Sequence, residues 1–227
     1  SDYMHGLRFD SNRQTYLQGP QPSENYQASW TISLWFKRTG ANGGIFQTIG
    51  TANADTSRSV RIKIDDQGNL RVLQGGRASE AATYPTATIA NRWHHVVVIG
   101  DGTNAVSYLD GKKVGAVTDW WDATTFTNSS IGSTRTSNNS PEYFNGYCSD
   151  YYLVSGYAMP CTTFAKEFAE GWGPLDSTVV TTNINSFQPP SPYDTRANTD
   201  EEWSDVYSFA APNNGVSLAN CFDGDES

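Results

Sequence analysis

Residues 29–38 read SWTISLWFKR, and this stretch decides the fold. Large apolar side chains alternate with smaller or polar ones, which is the period of a strand with two different faces. The apolar side chains on one face are Trp30, Ile32, Leu34 and Phe36. Trp35 stands an odd number of positions from Trp30, so its ring lies on the opposite face, exposed or under a loop. The segment therefore predicts a strand whose inner face contributes to an aromatic core.

Similar β-rich runs recur on both sides of this segment, separated by turn residues. They are Leu7–Phe9, Thr15–Leu17, Gly44–Gly50, Ser59–Ile64, Asn69–Leu73, Arg92–Ile99, Ala105–Leu109, Lys112–Val117, Ser129–Gly132 and Tyr143–Val154. Turn sequences at 65–68 and at Asp110-Gly111 predict hairpins. The run Arg92–Ile99 is expected to cross the centre of a sheet, and Asn145-Gly146 is expected to supply a positive φ before the last strand. The pattern predicts an all-β, two-sheet antiparallel β-sandwich.

The C-terminal part of the chain has a different character. Residues 160–170, PCTTFAKEFAE, are the one helix candidate, because Phe164 and Phe168 are spaced at i, i+4. Residues 1–175 are thus predicted to be the sandwich, and residues 176–227 a Pro-rich extended arm that leads into a further domain. The arm is expected either to wrap its own domain or to lie on a neighbouring subunit. Its aromatic anchors are Phe187, Tyr193, Trp203, Tyr207 and Phe209.

Charge and composition narrow the choice of partners. With 15 Lys and Arg against 24 Asp and Glu, the net charge of −9 disfavours nucleic acid as a partner. The sequence has no run apolar enough for membrane insertion, and its first ten residues do not resemble a signal peptide. The three cysteines are Cys148, Cys161 and Cys221, and they are expected to be free, partly buried thiols, although Cys148 could pair with Cys161.

Several motifs occur together in one order. Leu7-Arg-Phe9 is followed by the Trp30–Arg38 strand, then by Trp93-His-His95 with Tyr108-Leu-Asp-Gly111, and finally by Phe144-Asn-Gly-Tyr147. This order resembles the laminin-G-like, concanavalin A-like lectin/glucanase jelly roll over roughly residues 5–175. It is similar in particular to the modules of structural proteins of tailed phages, especially cyanophages. The resemblance implies a concanavalin A-like fold and a role in binding or assembly.

Catalytic chemistry has little support in the sequence. The resemblance implies that a glucanase of this superfamily would carry two or three acids at i, i+2 and i+4 of one strand, and none of the eight glutamates begins such a pattern on a predicted strand. His94 and His95 are adjacent, so they point to opposite faces and cannot jointly bind one metal in the usual way. The chain is therefore expected not to be an enzyme, and both histidines are expected to be satisfied core or rim residues.

Ligand binding is the remaining possibility for a site. Sugar recognition needs an exposed aromatic face with polar neighbours, and the candidate residues are Trp120, Trp121, Asp122, Asn138, Asn139 and Tyr143. The alternative is that the two tryptophans pack on a neighbouring subunit or on the arm. No cofactor is expected, with Ca²⁺ as an open alternative. Its candidate ligands are Asp55, Asp65, Asp66, Asp101 and Asp110, each of which is equally suited to capping a turn.

The resemblance to structural proteins of tailed phages implies a virion structural protein, either a capsid decoration or a tail or fibre appendage. Its expected partners are other virion subunits, copies of itself in a homo-oligomer, and a host-surface glycan. The alternative is a carbohydrate-binding module of a larger secreted protein, which would be extracellular. A glucanase is the third hypothesis.

Overall fold

The computed structural model describes residues 6–19, 29–41, 43–50, 60–74, 85–101, 104–117, 126–135 and 141–187. The strands in chain order are β1 (Leu7–Phe9), β2 (Leu17–Gly19), β3 (Ser29–Arg38), β4 (Gly43–Gly50), β5 (Val60–Ile64), β6 (Asn69–Gln74), β7 (Thr86–Ala87), β8 (His94–Asp101), β9 (Ala105–Leu109), β10 (Lys112–Val117), β11 (Phe126–Ile131), β12 (Ser133–Arg135), β13 (Pro141–Tyr143), β14 (Gly146–Ser155), β15 (Ala165–Phe168) and β16 (Gly171–Pro174). A 3-10 helix at Cys161–Thr163 and helix α1 at Ser177–Ser186 complete the elements.

Two six-stranded antiparallel sheets form the body of the protein. Sheet A has the order β1-β14-β3-β8-β9-β10, and sheet B has the order β2-β11-β4-β5-β6-β7. Two short hairpins, β12–β13 and β15–β16, lie outside these sheets. The predicted two-sheet β-sandwich is therefore confirmed, and β8 has the predicted interior position in its sheet.

The core lies between the inner faces of the two sheets. Strand β3 contributes the predicted alternate side chains to it, Trp30, Ile32, Leu34 and Phe36, all fully or almost fully buried. Sheet B supplies mainly branched aliphatic side chains, among them Ile45, Ile62 and Val72. Burial of one such side chain stabilises the fold by about 1.5–3 kcal/mol, so this aromatic and aliphatic interface is the main source of stability.

Strand β3 is buried on its second face as well. Thr31, Ser33 and Trp35 are at most 3% exposed, because residues 156–187 cover this outer face of sheet A. The Thr31 hydroxyl accepts a hydrogen bond from the Met159 N–H (2.8 Å) and donates one to the Tyr157 carbonyl (2.8 Å). The sequence prediction that the Trp35 ring lies outside the main core but under another segment is confirmed.

The predicted helix at 160–170 is wrong. Only residues 161–163 form a 3-10 turn, and the chain then forms the β15–β16 hairpin. Phe164 is 2% exposed and Phe168 is 40% exposed, so the two rings do not form a shared apolar stripe. Packing of Phe164 onto the ring of Tyr152 (centroids 5.6 Å apart) takes the place of helical periodicity.

The single helix begins where an extended arm was predicted. The Asp176 carboxylate accepts a hydrogen bond from the Thr178 N–H (2.9 Å), which caps the first turn of α1. Val180 and Ile184, at i and i+4, are buried against sheet A. Phe187 packs edge-on against Tyr157 (5.8 Å), so the first residues of the arm lie on their own domain. The other predicted anchors, Tyr193, Trp203, Tyr207 and Phe209, lie outside the described residues.

Three local expectations are resolved by the backbone. Asp110 and Gly111 have φ values of 51° and 76°, which suit the two-residue turn predicted there. Gly146 has no positive φ, contrary to the prediction. It is needed because a Cβ there would collide with the Lys37 carbonyl and would lie 2.7 Å from the Phe144 ring. Cys148 and Cys161 are buried and are not joined in a disulfide, as expected; Cys221 lies outside the described residues.

Candidate carbohydrate-binding surface

Of the six predicted glycan-binding residues, one can be placed. Tyr143 is the last residue of β13 and is half-buried. Trp120, Trp121 and Asp122 fall in the segment 118–125, and Asn138 and Asn139 fall in 136–140, both outside the described residues. The described part of the candidate site is therefore the hairpin that carries Tyr143 and flanks residues 136–140.

The β12–β13 hairpin lies against β4 of sheet B. Its register pairs Ser133 with Tyr143 and Arg135 with Pro141, so the residues flanking the segment 136–140 lie side by side. Glycines in β4 permit the close approach. A Cβ on Gly43 would lie 2.6 Å from the Tyr143 carbonyl, and one on Gly44 would collide with the main chain and side chain of Thr134.

An ion pair fixes the hairpin to the neighbouring strand β5. Lys63 Nζ lies 2.7 Å from Glu142 Oε1, and the Thr134 hydroxyl donates to Glu142 Oε2 over 3.3 Å. Both carboxylate oxygens are thus engaged by neighbours within the protein. The arrangement is suited to holding the hairpin in place.

A pair of tyrosines stands beside this hairpin. The rings of Tyr16 and Tyr143 have centroids 6.2 Å apart and are tilted by 45°. Both side chains are half-buried, so each keeps part of its surface open to solvent. Partly exposed aromatic rings with phenolic hydroxyls can pack against sugar C–H groups and bind sugar hydroxyls. Tyr16 was not among the predicted binding residues, because it is distant from Tyr143 in sequence and only the order of the strands brings the two rings together.

The two adjacent histidines lie on opposite faces of β8, as predicted. His94 accepts a hydrogen bond at Nε2 from the Ile89 N–H (3.0 Å) and donates from Nδ1 to the Asp110 carboxylate (2.7 Å). His95 accepts at Nδ1 from the Trp172 indole N–H (3.0 Å), so its Nε2–H donates to the Ser33 hydroxyl (2.8 Å). Every ring nitrogen has a partner within the protein, which confirms the structural interpretation of both residues.

His95 is the centre of a buried aromatic stack. Its ring lies 4.8 Å from the ring of Trp35 and 6.2 Å from that of Trp172. Burial lowers the pKa of His95 to about 3, with a small opposing effect from the charge of Asp110. The neutral imidazole is therefore kept at physiological pH, and it joins the β15–β16 hairpin to sheet A.

Two of the candidate calcium ligands, Asp65 and Asp101, cap turns, and Asp110 binds His94 and the His95 N–H. Asp65 accepts from the N–H groups of Gln67 and Asn69 (3.0 and 2.8 Å), and its pKa is lowered, because these hydrogen bonds and the charge of Arg71 outweigh its desolvation. Asp101 accepts from the Asn104 N–H (2.7 Å). Within the described ranges no three His, Cys, Asp or Glu side chains cluster as a metal site. Asp55 lies outside those ranges, so the calcium alternative stays a prediction.

One carboxyl group is perturbed without having been identified from the sequence. Asp150 has a φ of 48° within a β-bulge, where β14 has one residue more than β3 between two paired positions. Burial raises the pKa of this carboxyl to about 6; a hydrogen bond from Ser149 opposes the shift and the charge of Asp176 adds to it. A bulge cannot be read from the alternation of apolar residues, which explains the omission.

Comparison with solved structures shows the same fold in proteins of low sequence identity. A heptameric SAP-like pentraxin from Limulus polyphemus is 15% identical, with a TM-score of 0.52 over 67% of this chain and 76% of that one. The enzymatically active domain of tailspike protein 2 from bacteriophage CBA120 is 18% identical, with a TM-score of 0.51 over 67% of this chain and 25% of the tailspike. A protein from Bacteroides ovatus, described as a candidate carbohydrate-binding protein, is 19% identical, with a TM-score of 0.52 over 69% and 44% of the two chains.

The family follows from the sequence match. No curated protein matches the chain significantly. No helix of the described part of the chain is long and apolar enough to cross a membrane. Residues 10–158 match a laminin G family model, and the chain therefore belongs to the concanavalin A-like lectin/glucanases superfamily.

Proposed function

We propose that the chain is a non-enzymatic, lectin-like module of a viral particle, either a capsid decoration or a tail or fibre appendage. In this role it contacts other subunits and adheres to a glycan on the host surface. The observation that carries the carbohydrate-binding part is the family match over residues 10–158. The likeness to a bacteriophage tailspike supports the viral part.

The β12–β13 hairpin supports a position for the glycan site. Its anchoring by Glu142 and by the glycines of β4 gives the flanks of residues 136–140 a fixed position next to Tyr16 and Tyr143. A fixed scaffold lowers the entropic cost of binding a ligand to the segments it carries. We assign the glycan to this surface, together with Trp120 and Trp121.

A glycan array with the intact chain tests this assignment. Trp120→Ala and Trp121→Ala should each reduce binding about tenfold or more, since a ring stacked on a sugar contributes on the order of 1–2 kcal/mol. Phe168→Ala is the control, because that ring is exposed and lies on the β15–β16 hairpin. Equal loss of binding in all three variants, or no binding by the wild type, would refute the assignment.

Self-assembly is the second part of the proposal. A heptameric SAP-like pentraxin shares this fold, which supports the expectation of a homo-oligomer. Light scattering of the purified chain should give a mass that is a multiple of 24.9 kDa. An image of the assembled particle should place residues 188–211 against a neighbouring subunit, and finding a monomer at all concentrations would refute this part.

A carbohydrate-binding module of a larger secreted protein is the second candidate. The likeness to the Bacteroides ovatus protein favours it, since this chain spans less than half of that one. The full parent reading frame distinguishes the two candidates, because a virion protein lies among other particle genes and a secreted module lies beside a catalytic or anchoring domain. Turnover of laminarin-like polymers by the intact chain would contradict the non-enzymatic assignment in both cases.

A further inference from the structure

A row of alternating cations and aromatic rings crosses one end of sheet A on its outer face. Arg8 of β1 is paired with Tyr147 of β14, and Tyr147 is paired with Lys37 of β3. Trp93 directly precedes β8, the next strand of the sheet. We call these four residues the cation–aromatic row.

Distances show that the row is continuous. Arg8 Cζ lies 5.3 Å from the centroid of the Tyr147 ring, and Lys37 Nζ lies 4.8 Å from the same centroid. Lys37 Nζ is also 5.2 Å from the centroid of the Trp93 ring. All three separations are within the range of about 6 Å over which a cation is attracted to a ring face. The Arg8 guanidinium is held further by a hydrogen bond to Asn145 Oδ1 (3.0 Å).

The row lies just beyond the part of the outer face that the chain covers itself. Trp172 of the β15–β16 hairpin stacks on His95, which is paired with Trp35. Lys37 is the next outward-facing residue of β3 after Trp35, and it is half-buried, whereas Trp35 is 3% exposed. The covering hairpin therefore ends one row short of the end of the sheet.

The charge of the row is not neutralised by the described part of the protein. Among the described residues, neither Arg8 nor Lys37 forms an ion pair with a carboxylate. Asp10 directly follows β1. Its Oδ2 lies 3.8 Å from Arg13 Nε, and its Oδ1 accepts a hydrogen bond from the Asn12 N–H. Two cations next to one ring are thus left without an ion-pair partner among the described residues, on a chain of net charge −9.

We infer that the cation–aromatic row is a binding site for an acidic polysaccharide, one that carries carboxylate or sulfate groups. Arg8 and Lys37 bind the anionic substituents, and the exposed parts of the Tyr147 and Trp93 rings pack against sugar C–H groups. Local cations dominate over the distant negative charge because the screening length is about 8 Å at physiological ionic strength. The inference rests on the proposed carbohydrate-binding role, but it is carried by residues other than Trp120 and Trp121.

Affinity electrophoresis of the intact chain tests the site with three polymers. Polygalacturonate presents carboxylates, dextran sulfate presents sulfates, and dextran is the neutral control. The wild type should be retarded by at least one acidic polymer and not by dextran, and the retardation should weaken about tenfold or more between 50 and 200 mM salt. The polymer that retards it identifies the substituent.

Matched variants decide whether the row is responsible. The double variant Lys37→Met, Arg8→Gln keeps the aliphatic length of both side chains and should lower the affinity about tenfold or more, the effect of losing about 1.4 kcal/mol. The control Lys112→Met, Lys113→Gln removes the same charge from exposed positions on β10 and should change the affinity less than twofold. Equal losses in both variants, or no retardation of the wild type, would overturn the inference. The two proposals fail separately. If the row variant keeps its affinity for the acidic polymer but Trp120→Ala loses glycan-array binding, the inference about the row is wrong and the proposed function stands.

Discussion

Lowering the pH from 7 to 5 should destabilise an Asp150→Asn variant by about 2 kcal/mol while changing the wild type by less than about 1 kcal/mol. The contrast arises because the buried His95 and the half-buried Asp150, which lie on the same sheet, respond to pH in opposite directions. His95 has its pKa lowered to about 3, and Asp150 has its pKa raised to about 6, in both cases mainly through burial.

The effect of pH on the stability that His95 contributes follows from its protonation in the unfolded state. The unfolded chain takes up a proton near the ordinary pKa of 6.5, whereas the folded chain resists protonation until about pH 3. The stability that His95 contributes is complete above pH 6.5 and is lost as the pH falls. With 1.36 kcal/mol for each pKa unit, the loss between pH 7 and 5 is about 2 kcal/mol.

Asp150 changes the stability in the opposite direction as the pH falls. Its pKa is about 6 in the folded protein against an ordinary value of 3.8, so the folded state binds the proton more tightly. The resulting stabilisation is complete below pH 3.8 and is lost as the pH rises through 6. Between pH 7 and 5 the wild type therefore regains about 1 kcal/mol. This gain offsets at least half of the loss from His95.

The Asp150→Asn substitution isolates the two effects. Asparagine tolerates the positive φ of 48° at this position, so the bulge should persist. The variant should be more stable than the wild type at pH 7 by about 1–3 kcal/mol, because no charge is then buried. A His95→Gln variant should show the opposite pH trend and gain stability on acidification.

Urea unfolding at pH 7, 6 and 5, followed by tryptophan fluorescence, measures these changes directly. Other groups titrate alike in the wild type and in the Asp150→Asn variant, so the difference between their pH slopes reports Asp150 alone. If the two proteins lose stability in parallel from pH 7 to 5, the Asp150 carboxyl is not buried as described and the reasoning fails.

Three further predictions concern packing and use the same unfolding assay. Trp35→Ala should cost about 3–5 kcal/mol, because the ring is 3% exposed and supports His95; a loss below about 1 kcal/mol would contradict this packing. Gly44→Ala should cost about 1–3 kcal/mol, since its Cβ would collide with Thr134, and it should weaken glycan binding together with stability. Ser107→Ala should be neutral or stabilising by up to about 1 kcal/mol, because its buried hydroxyl has no hydrogen-bond partner among the described residues; a loss above 1 kcal/mol would reveal a partner.

The sequence predicted the sandwich well because apolar and polar residues alternate along a strand that is buried on one face. Strand β3 and the hairpin at Asp110-Gly111 were therefore placed correctly from residue type alone. The cover on sheet A was not predicted, because Phe164 and Phe168 have helical spacing but different environments. Tyr16 was missed for a related reason. Its proximity to Tyr143 depends on which strands are neighbours, which local pattern does not encode.

The covered and uncovered parts of the two sheets determine where a ligand can bind. On sheet A the chain itself occupies the outer face, through the stack of Trp35, His95 and Trp172 and through the apolar cluster under α1. A ligand of the described sheet A surface is thereby directed to its uncovered end, where Arg8 and Lys37 lie. On sheet B the β12–β13 hairpin presents a second, tyrosine-lined surface. The two proposed sites are carried by different residues, so substitutions at Arg8 and Lys37 and substitutions at Trp120 and Trp121 test them independently.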